Sequence, residues 1–226
     1  MTAEFKQHFV AFLDILGFKQ MVAHDISHDS VDYLMKLYKC HQGAANIFHD
    51  DPTCTITQFS DSIVISKPYD AKGFTGFATH VAEYQRLLLD EELLCRGGIA
   101  VNKHFSINSF TFSAGLIAAY DVESTTARYP RVVISTEVIA LVYPDGIGNP
   151  NFLIKEDDGL WFIDYIGITS KIRPKKLKSS VENIVSELEH SNSSSVREKG
   201  LWLASYADAT LKTTLKKPKF SGAKIK

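Results

Sequence analysis

The sequence predicts an α+β fold with helices on one face of a mainly antiparallel sheet. Short apolar β-type segments alternate with amphipathic helical segments in the order βαββαβ, and one more helix and strand follow. The chain has 226 residues and 45% hydrophobic content, which is enough for one sizeable core. We therefore predict a core over residues 1–144 and, in the same domain, a small C-terminal α/β elaboration over residues 145–226.

The first element is a predicted buried strand at residues 8–13, an apolar run rich in aromatic and branched side chains. It ends at Asp14, and Gly17 suits the turn that follows. A helix is predicted over residues 31–48, because apolar positions recur there with a period of about 3.6 residues and Ser30 offers a cap.

A tight hairpin is predicted next. Two alternating β-type segments, residues 54–59 and 63–66, are separated by only three residues, which puts Asp61 at the tip. A second amphipathic helix follows at residues 74–88. The strand after it, at residues 93–101, contains two adjacent glycines, which suggest close approach of another backbone.

The remaining elements are less regular. A helix is predicted over residues 113–127, and a strand over residues 129–135 has Pro130 near its start, where a missing N–H is tolerated. We interpret the rest of the chain as elaboration and not as active site. Its predicted elements are two short strands near 152–154 and 160–163 and two helices near 179–190 and 195–215.

Composition limits the possible partners and compartment. The 25 basic and 26 acidic residues are mixed, so we expect neither nucleic acid nor a membrane as a partner. A basic tail, from Lys216 to Lys226, is interpreted as a solvated chain end. The three cysteines have no C-x-x-C spacing, which favours a reducing compartment, and the apolar run that Asp14 interrupts is too short to span a bilayer. We therefore expect a cytoplasmic protein.

Two carboxylates, Asp14 and Asp61, could carry chemistry, because each is attached to an otherwise apolar β segment. A carboxylate buried at a strand end is costly unless a metal or a donor compensates it. If the first strand lies beside the hairpin, the two converge into an oxygen site for Mg²⁺ or Mn²⁺. The alternatives are that Asp14 caps a helix and that Asp61 is an ordinary turn residue.

Three segments carry a resemblance to a known family. They are Phe-Leu-Asp-Ile-Leu-Gly-Phe at 12–18, Gln-Phe-Ser-Asp-Ser-Ile-Val at 58–64 and Arg-Gly-Gly-Ile at 96–99. In order and spacing they resemble the signature of class III nucleotidyl cyclases. The likeness is closest to the pyrimidine (uridylate and cytidylate) cyclases of bacterial anti-phage Pycsar systems. It covers most of the chain, including residues 120–123, 129–131, 158–160 and 202–203.

The resemblance implies a site with two divalent ions, Mn²⁺ or Mg²⁺, and a nucleoside triphosphate substrate. The metal ligands it implies are Asp14, Asp61 and the carbonyl of Ile15. The ions would lower the pKa of the ribose 3′-hydroxyl for attack on the α-phosphate and would neutralise the β and γ phosphates. The implied substrate contacts come from Phe12 and Arg96 and from the amides around Leu16, Gly17 and Phe18.

Two departures from the family pattern affect substrate and rate. Purine cyclases carry a lysine or glutamate four residues before the second aspartate; here that position is Thr57, which favours a pyrimidine triphosphate, UTP before CTP. The helix that supplies an asparagine and an arginine in purine cyclases has Ile117 and Asp121 instead. Either another cation acts at the α-phosphate, with Arg96 and Arg131 as the candidates unless they only extend to solvent, or the site is slow or inactive.

The leading hypothesis is therefore a metal-dependent uridylate or cytidylate cyclase. The resemblance implies a homodimer, because class III sites are assembled between two catalytic domains. It also implies that the cyclic nucleotide is a second messenger in antiviral defence, acting on a separate effector. Two alternatives are a non-catalytic cyclase-homology module that binds nucleotide and a palm-like transferase acting on polynucleotides, which the absence of a basic groove opposes. His24 and His28 are interpreted as surface residues.

Overall fold

The computed structural model describes residues 4–49, 51–107, 110–148 and 150–217. Its strands are β1 (Lys6–Ile15), β2 (Thr55–Phe59), β3 (Ser62–Pro68), β4 (Cys95–Ile107), β5 (Phe110–Ser113), β6 (Val132–Ile134), β7 (Leu153–Lys155) and β8 (Trp161–Ile163). Its α-helices are α1 (Phe18–His28), α2 (Asp32–Phe48), α3 (Phe74–Asp90), α4 (Ala114–Thr126), α5 (Thr136–Val142), α6 (Tyr165–Thr169), α7 (Pro174–Glu189) and α8 (Ser194–Leu211).

The strands form one sheet in the order β2-β3-β1-β4-β6-β8-β7, and β5 pairs with β4. Neighbouring strands are antiparallel except β4 and β6, which are parallel. The central strand β1 lies between the β2–β3 hairpin and β4, so the predicted pairing of the first strand with the hairpin is confirmed. The predicted α+β class with an antiparallel-rich sheet is confirmed as well.

Helices cover both faces of the sheet, so the prediction that they lie on one face is wrong for α4. Alternate side chains of β1, such as Phe9 and Ala11, face the main core with α2 and α3. Val10 and Phe12 point the other way and pack with Ala119 of α4. We call this second side of the sheet the α4 face.

The predicted close backbone approach at the paired glycines is confirmed, and it explains where α4 lies. A Cβ atom on Gly98 would be 2.4 Å from the carbonyl oxygen of Ala119, and one on Gly97 would be 2.5 Å from the carbonyl oxygen of Phe12. Any side chain at Gly98 would push α4 off the sheet. The glycine pair therefore brings the α4 backbone directly against β4.

The sequence analysis does not predict α1, a helix whose residues are all described and none of them buried. His24 and His28, which are interpreted as surface residues, lie on this helix. The short elements β5, α5 and α6 were missed as well. The predicted strands β7 and β8 are confirmed, and α7 begins earlier than expected because Pro174 occupies its first turn.

The C-terminal helices are attached to the core by buried charge. Arg86 of α3 is 2% exposed, pairs with Asp90 at 2.9 Å and donates to the carbonyl oxygens of Thr169 and Ile172 at 2.8 and 2.6 Å. Lys217 of the basic tail pairs with Glu189, while the rest of that tail, from residue 218, lies outside the described residues. Among the helices described, none is long and apolar enough to cross a membrane.

Candidate active site

The end of β1 brings the two predicted carboxylates to the same place. Asp14 lies opposite Ser62 of β3 and opposite Arg96 of β4. Asp61 forms the turn just before Ser62, and its carbonyl oxygen accepts the N–H of Ile15 at 3.0 Å. The two carboxylates are close enough for the Asp61 charge to raise the pKa of Asp14. Neither side chain is fully buried, so both remain accessible to a ligand.

Asp14 is held in an environment that resists its charge. Burial is the largest effect and raises the pKa of Asp14, and the Asp61 charge adds to it. Arg96 opposes both, because its Nε donates to Asp14 Oδ2 at 3.3 Å. The net pKa of Asp14 is above its ordinary value of 3.8. A cation added at this position would relieve the remaining cost of the carboxylate.

Glu123 of α4 is a third carboxylate at this site, and the sequence analysis did not identify it. It is 2% exposed, and its Oε1 lies 2.7 Å from Arg96 Nε. The single Nε hydrogen of Arg96 points to Asp14, so Glu123 Oε1 has no hydrogen bond from any described residue. Burial raises the pKa of Glu123, with the Arg96 charge lowering it and the Asp14 charge raising it further.

A signal for Glu123 was present in the sequence. Glu123 comes four residues after Ala119, and Ala119 comes four after Gly115, so all three lie on one side of α4. That side packs on the sheet at Gly98. A glutamate on the buried stripe of small residues is unusual, because an ionised carboxylate is seldom buried without a partner.

The turn after β1 presents the beginning of α1. Gly17 has φ 82°, a left-handed conformation that favours glycine, and it is the residue before the helix. No side chain caps this helix, so the amides of its first turn are available to an anion. The Leu16 amide is not available, because it donates to the carbonyl oxygen of Leu94 at 2.8 Å. Of the three amides predicted to bind phosphate, that of Leu16 is therefore excluded, and those of Gly17 and Phe18 stay predictions.

The other predicted contacts occupy neighbouring positions. Ile15 is the last residue of β1 and has a buried side chain, so its carbonyl lies at the same strand end as Asp14. Phe12 and Thr57 both pair with Val64, and all three face the α4 side, as Asp14 does. The Phe12 ring packs edge-on against Tyr120 at 5.5 Å. Thr57 therefore lies on the same face of the sheet as Asp14. Its partner Val64 is two residues along β3 from Ser62, the partner of Asp14.

Arg131 is placed in a different environment from the one predicted. It is 1% exposed, and its two terminal nitrogens pair with Glu156 and Asp158. The rings of Tyr129 and Phe162 lie within 6 Å of its guanidinium carbon, at 5.7 and 5.9 Å. With its terminal nitrogens occupied and its surface covered, Arg131 cannot contact a phosphate in this structure. Arg96, which is 31% exposed, remains as the candidate cation.

Ile117 and Asp121 lie on the outer side of α4. They are offset by two residues from Ala119 and Glu123, which face the sheet, and two residues turn a helix by more than half a revolution. Both are exposed, Ile117 to 65%. Side chains at these positions point away from the Asp14–Arg96 cluster of their own chain. They can contribute only to a site that lies beyond this surface.

The residues at the end of β1 fit a hard divalent cation. Carboxylate and carbonyl oxygens are the ligands that Mg²⁺ and Mn²⁺ take, and the buried Glu123 Oε1 shows that the cluster has unused acceptor capacity. His24, Asp25 and Asp32 also approach one another within 4.8 Å. That second group has a structural role, since Asp25 accepts the N–H groups of Tyr33 and Leu34 at the start of α2.

Comparisons with known proteins identify the fold. No protein-family model matches the sequence, and no curated protein is detectably similar to it. Among the solved structures that are similar, three share 15% sequence identity with this chain. The guanylyl cyclase Cya2 matches with a TM-score of 0.52 over 73% of this chain and 94% of its own. The adenylyl cyclase CyaB from P. aeruginosa matches with 0.51 over 72% and 96%. The monomeric guanylyl cyclase domain of the RhoGC fusion protein from Blastocladiella emersonii matches with 0.53 over 72% and 98%. The chain therefore has the fold of class III nucleotidyl cyclases.

Proposed function

We propose that this chain is a metal-dependent pyrimidine nucleotide cyclase that converts UTP, or CTP, to the 3′,5′-cyclic monophosphate and pyrophosphate. The observation that carries the proposal is the position of Asp14. It is the last residue but one of the central strand, lies beside the Asp61 turn and precedes the uncapped start of α1 at Gly17. Paired carboxylates next to free helix amides suit a metal-bound triphosphate.

Different residues of the site would bind the metal ions, bind the phosphates and stabilise the developing charge. Asp14, Asp61 and the Ile15 carbonyl would hold two divalent ions, Mn²⁺ or Mg²⁺. When bound, these ions neutralise phosphate charge and lower the pKa of the attacking hydroxyl. The first-turn amides at Gly17 and Phe18 would hold phosphate oxygens. The 3′-oxygen then attacks the α-phosphorus, the bond to the bridging oxygen breaks, pyrophosphate leaves, and the hydroxyl proton goes to solvent. Arg96 is the cation nearest to the metal ligands for the developing charge.

Thr57 supports a pyrimidine substrate. It is partly buried on the α4 face of β2, where a short hydroxyl side chain cannot span the distance that a lysine or glutamate covers towards a purine. We favour UTP over CTP. In line with the Pycsar resemblance, the product would be a cytoplasmic second messenger in antiviral defence, recognised by a separate effector.

A homodimer completes the proposal. Ile117 and Tyr120 of α4 and Phe59 at the end of β2 are exposed to 65%, 52% and 55%. Apolar side chains grouped around a site favour a protein partner over solvent. A second copy on this face would bring its own α4 positions towards the carboxylates of the first. A lone subunit is then expected to be inactive.

The test is to incubate the protein with each of the four ribonucleoside triphosphates and Mn²⁺, over a range of protein concentrations, with Asp61→Asn in parallel. Products are identified by mass. We expect a cyclic monophosphate from UTP, or from CTP, which Asp61→Asn does not form and which disappears when the dimer is diluted. Cyclic product from a purine triphosphate alone would refute the pyrimidine assignment, and full activity in a verified monomer would refute the dimer.

A second candidate is a cyclase-homology module that binds nucleotide without turning it over. Ile117 and Asp121 favour it, because neither side chain can replace an asparagine or an arginine at a transition state. This candidate predicts that a verified dimer binds a triphosphate with Mn²⁺ and forms no product from any of the four nucleotides. The presence of three carboxylates at one site, Asp14, Asp61 and Glu123, argues against this candidate, since a module that only binds nucleotide has little need of them.

A further inference from the structure

A cavity of about 750 Å³ opens on the other side of the turn that follows β1. Leu16 and Gly17 line it on one side, and the loop and first turns of α8 line it on the other, including Ser193 and Lys199. The cavity therefore joins the proposed phosphate-binding turn to the C-terminal helices, a part of the chain that the sequence analysis interpreted as elaboration.

Lys199 is the cation of this cavity that lacks a carboxylate partner. Its Nζ donates to Ser195 Oγ at 2.9 Å and to the Ser195 carbonyl oxygen at 3.3 Å, one turn earlier in the same helix. Its neighbour Glu198 pairs with Arg128 instead. Over the described ranges Lys199 forms no salt bridge. Burial lowers the pKa of Lys199, and the positive charges of Arg96 and Arg128 lower it further.

The other charges of the cavity are arranged differently. Lys36 Nζ lies 3.8 Å from Glu92, and Glu92 also accepts from Asn183 Nδ2 at 2.7 Å, so these groups offset one another. Glu187 of α7 also lines the cavity and contributes a carboxylate to it. An anion in the cavity is therefore attracted to Lys199 and repelled by the Glu187 carboxylate of α7.

We propose that Lys199 binds the terminal phosphates of the nucleoside triphosphate within this cavity. The inference rests on the proposed function, and it assigns part of the substrate site to the C-terminal extension. Gly17 presents the start of α1 to the cavity, and Ser193 precedes α8 without capping it by its side chain. The amides of both helix ends therefore add to the attraction that Lys199 exerts on phosphate.

The test compares Lys199→Ala, Lys199→Arg and Lys178→Ala by calorimetric binding of UTP and of UMP in Mn²⁺, together with the KM and kcat for UTP. Lys178 is the matched control, because it is exposed and lies on α7 with Glu182 as its partner. We expect Lys199→Ala to weaken UTP binding by about tenfold. It should leave UMP binding unchanged, and Lys199→Arg should recover most of the loss. Lys178→Ala should bind UTP as the unmodified protein does.

The outcomes separate this inference from the proposed function. Turnover by the unmodified protein with UTP affinity of Lys199→Ala within twofold of normal would refute the role of Lys199 alone. Tenfold weaker binding in Lys199→Ala without turnover in either protein would keep Lys199 and refute cyclisation. An equal loss of UTP and UMP binding would also overturn the inference, since it would mean that the substitution disturbs the site in general. Glu187→Gln should bind UTP more tightly, because it removes a negative charge that repels the phosphates. Weaker UTP binding in this variant would contradict the proposed position of the phosphates in the cavity.

Discussion

Two clusters in this molecule consist of one arginine between two carboxylates, and they lie next to each other along the sheet. Arg96 of β4 stands between Asp14 and Glu123, and Arg131, just before β6, pairs with two acidic residues of the β7–β8 turn. Strands β4 and β6 are paired, and the carbonyl oxygen of Arg131 accepts the N–H of Gly97. The clusters share composition and location, but their electrostatics differ.

The Arg131 cluster satisfies its carboxylates. Asp158 accepts from Arg131 and from the Leu160 amide, and these bonds hold the pKa of Asp158 below its ordinary value against the effect of burial. Glu156 also accepts from Trp202 Nε1 at 2.7 Å. In the Arg96 cluster the one Nε–H of Arg96 donates to Asp14 and leaves Glu123 Oε1 without a hydrogen bond from the described residues, and the pKa values of Asp14 and Glu123 are both raised. Only the Arg96 cluster would gain stability from an additional cation.

The difference shows how a structural cluster can be distinguished from a functional one made of the same residues. Each carboxylate of the Arg131 cluster has its own donor, and the cluster joins the C-terminal extension to the core, although the buried Arg131 Nε has no hydrogen-bond partner among the described residues. In the Arg96 cluster the buried Glu123 Oε1 lacks a donor among the described residues, and Asp14 and Arg96 are partly exposed to solvent. Such deficits cost stability and are retained where a ligand removes them.

The strongest test of this comparison is to remove one carboxylate from each cluster. Asp14→Asn should reduce the proposed cyclase activity on the order of a thousandfold, because it removes a proposed metal ligand. Asp158→Asn should keep activity within about twofold, since that side chain has only a structural partner. Initial rates of cyclic nucleotide formation, with circular dichroism to verify folding, provide the measurement. Equal losses in the two variants would refute the distinction.

Removing the arginines should give the opposite pattern in stability. Arg131→Ala should lower the free energy of unfolding by about 3 kcal/mol, because it leaves the Glu156 and Asp158 carboxylates without their buried partner. Arg96→Ala should cost less in stability, since Asp14 is partly solvated, and more in activity. Chemical denaturation of both variants checks the first statement, and kcat checks the second. A greater stability loss in Arg96→Ala would contradict the assignment of Arg131 as the structural arginine.

The sequence predicts one half of the Arg96 cluster and not the other. Asp14 and Asp61 end local β patterns, so their meeting follows once β1 pairs with the hairpin. Glu123 reaches Arg96 only because α4 packs on the sheet face opposite the main core and lies against Gly98. No local sequence pattern specifies this tertiary packing. The same holds for Lys199, which lines one cavity with Gly17 although the two residues are far apart in the sequence. The two arginines could not be ranked, because their partners come from distant segments.

The smallest expected effect concerns Glu123 in the metal-free protein. Its raised pKa means that the ionised form is disfavoured in the folded state, and its Oε1 lacks a hydrogen bond. The stabilisation from protonated Glu123 is therefore full below the ordinary value of 4.5 and is lost as pH rises through the higher folded-state pKa. Glu123→Gln cannot ionise and should be the more stable protein at pH 7, by about 1 kcal/mol or about 2–4 °C in Tm.

The advantage of Glu123→Gln should shrink as the pH is lowered towards 4.5, because the unmodified glutamate then becomes protonated in the fold. Thermal melts of both proteins between pH 4 and pH 8, in EDTA, measure this difference. Glu137→Gln is a suitable control, since Glu137 is exposed in the first turn of α5. An advantage that grows on acidification would mean that Arg96 satisfies Glu123 as fully as Arg131 satisfies Asp158, and the two clusters would then have to be regarded as equivalent structural ties.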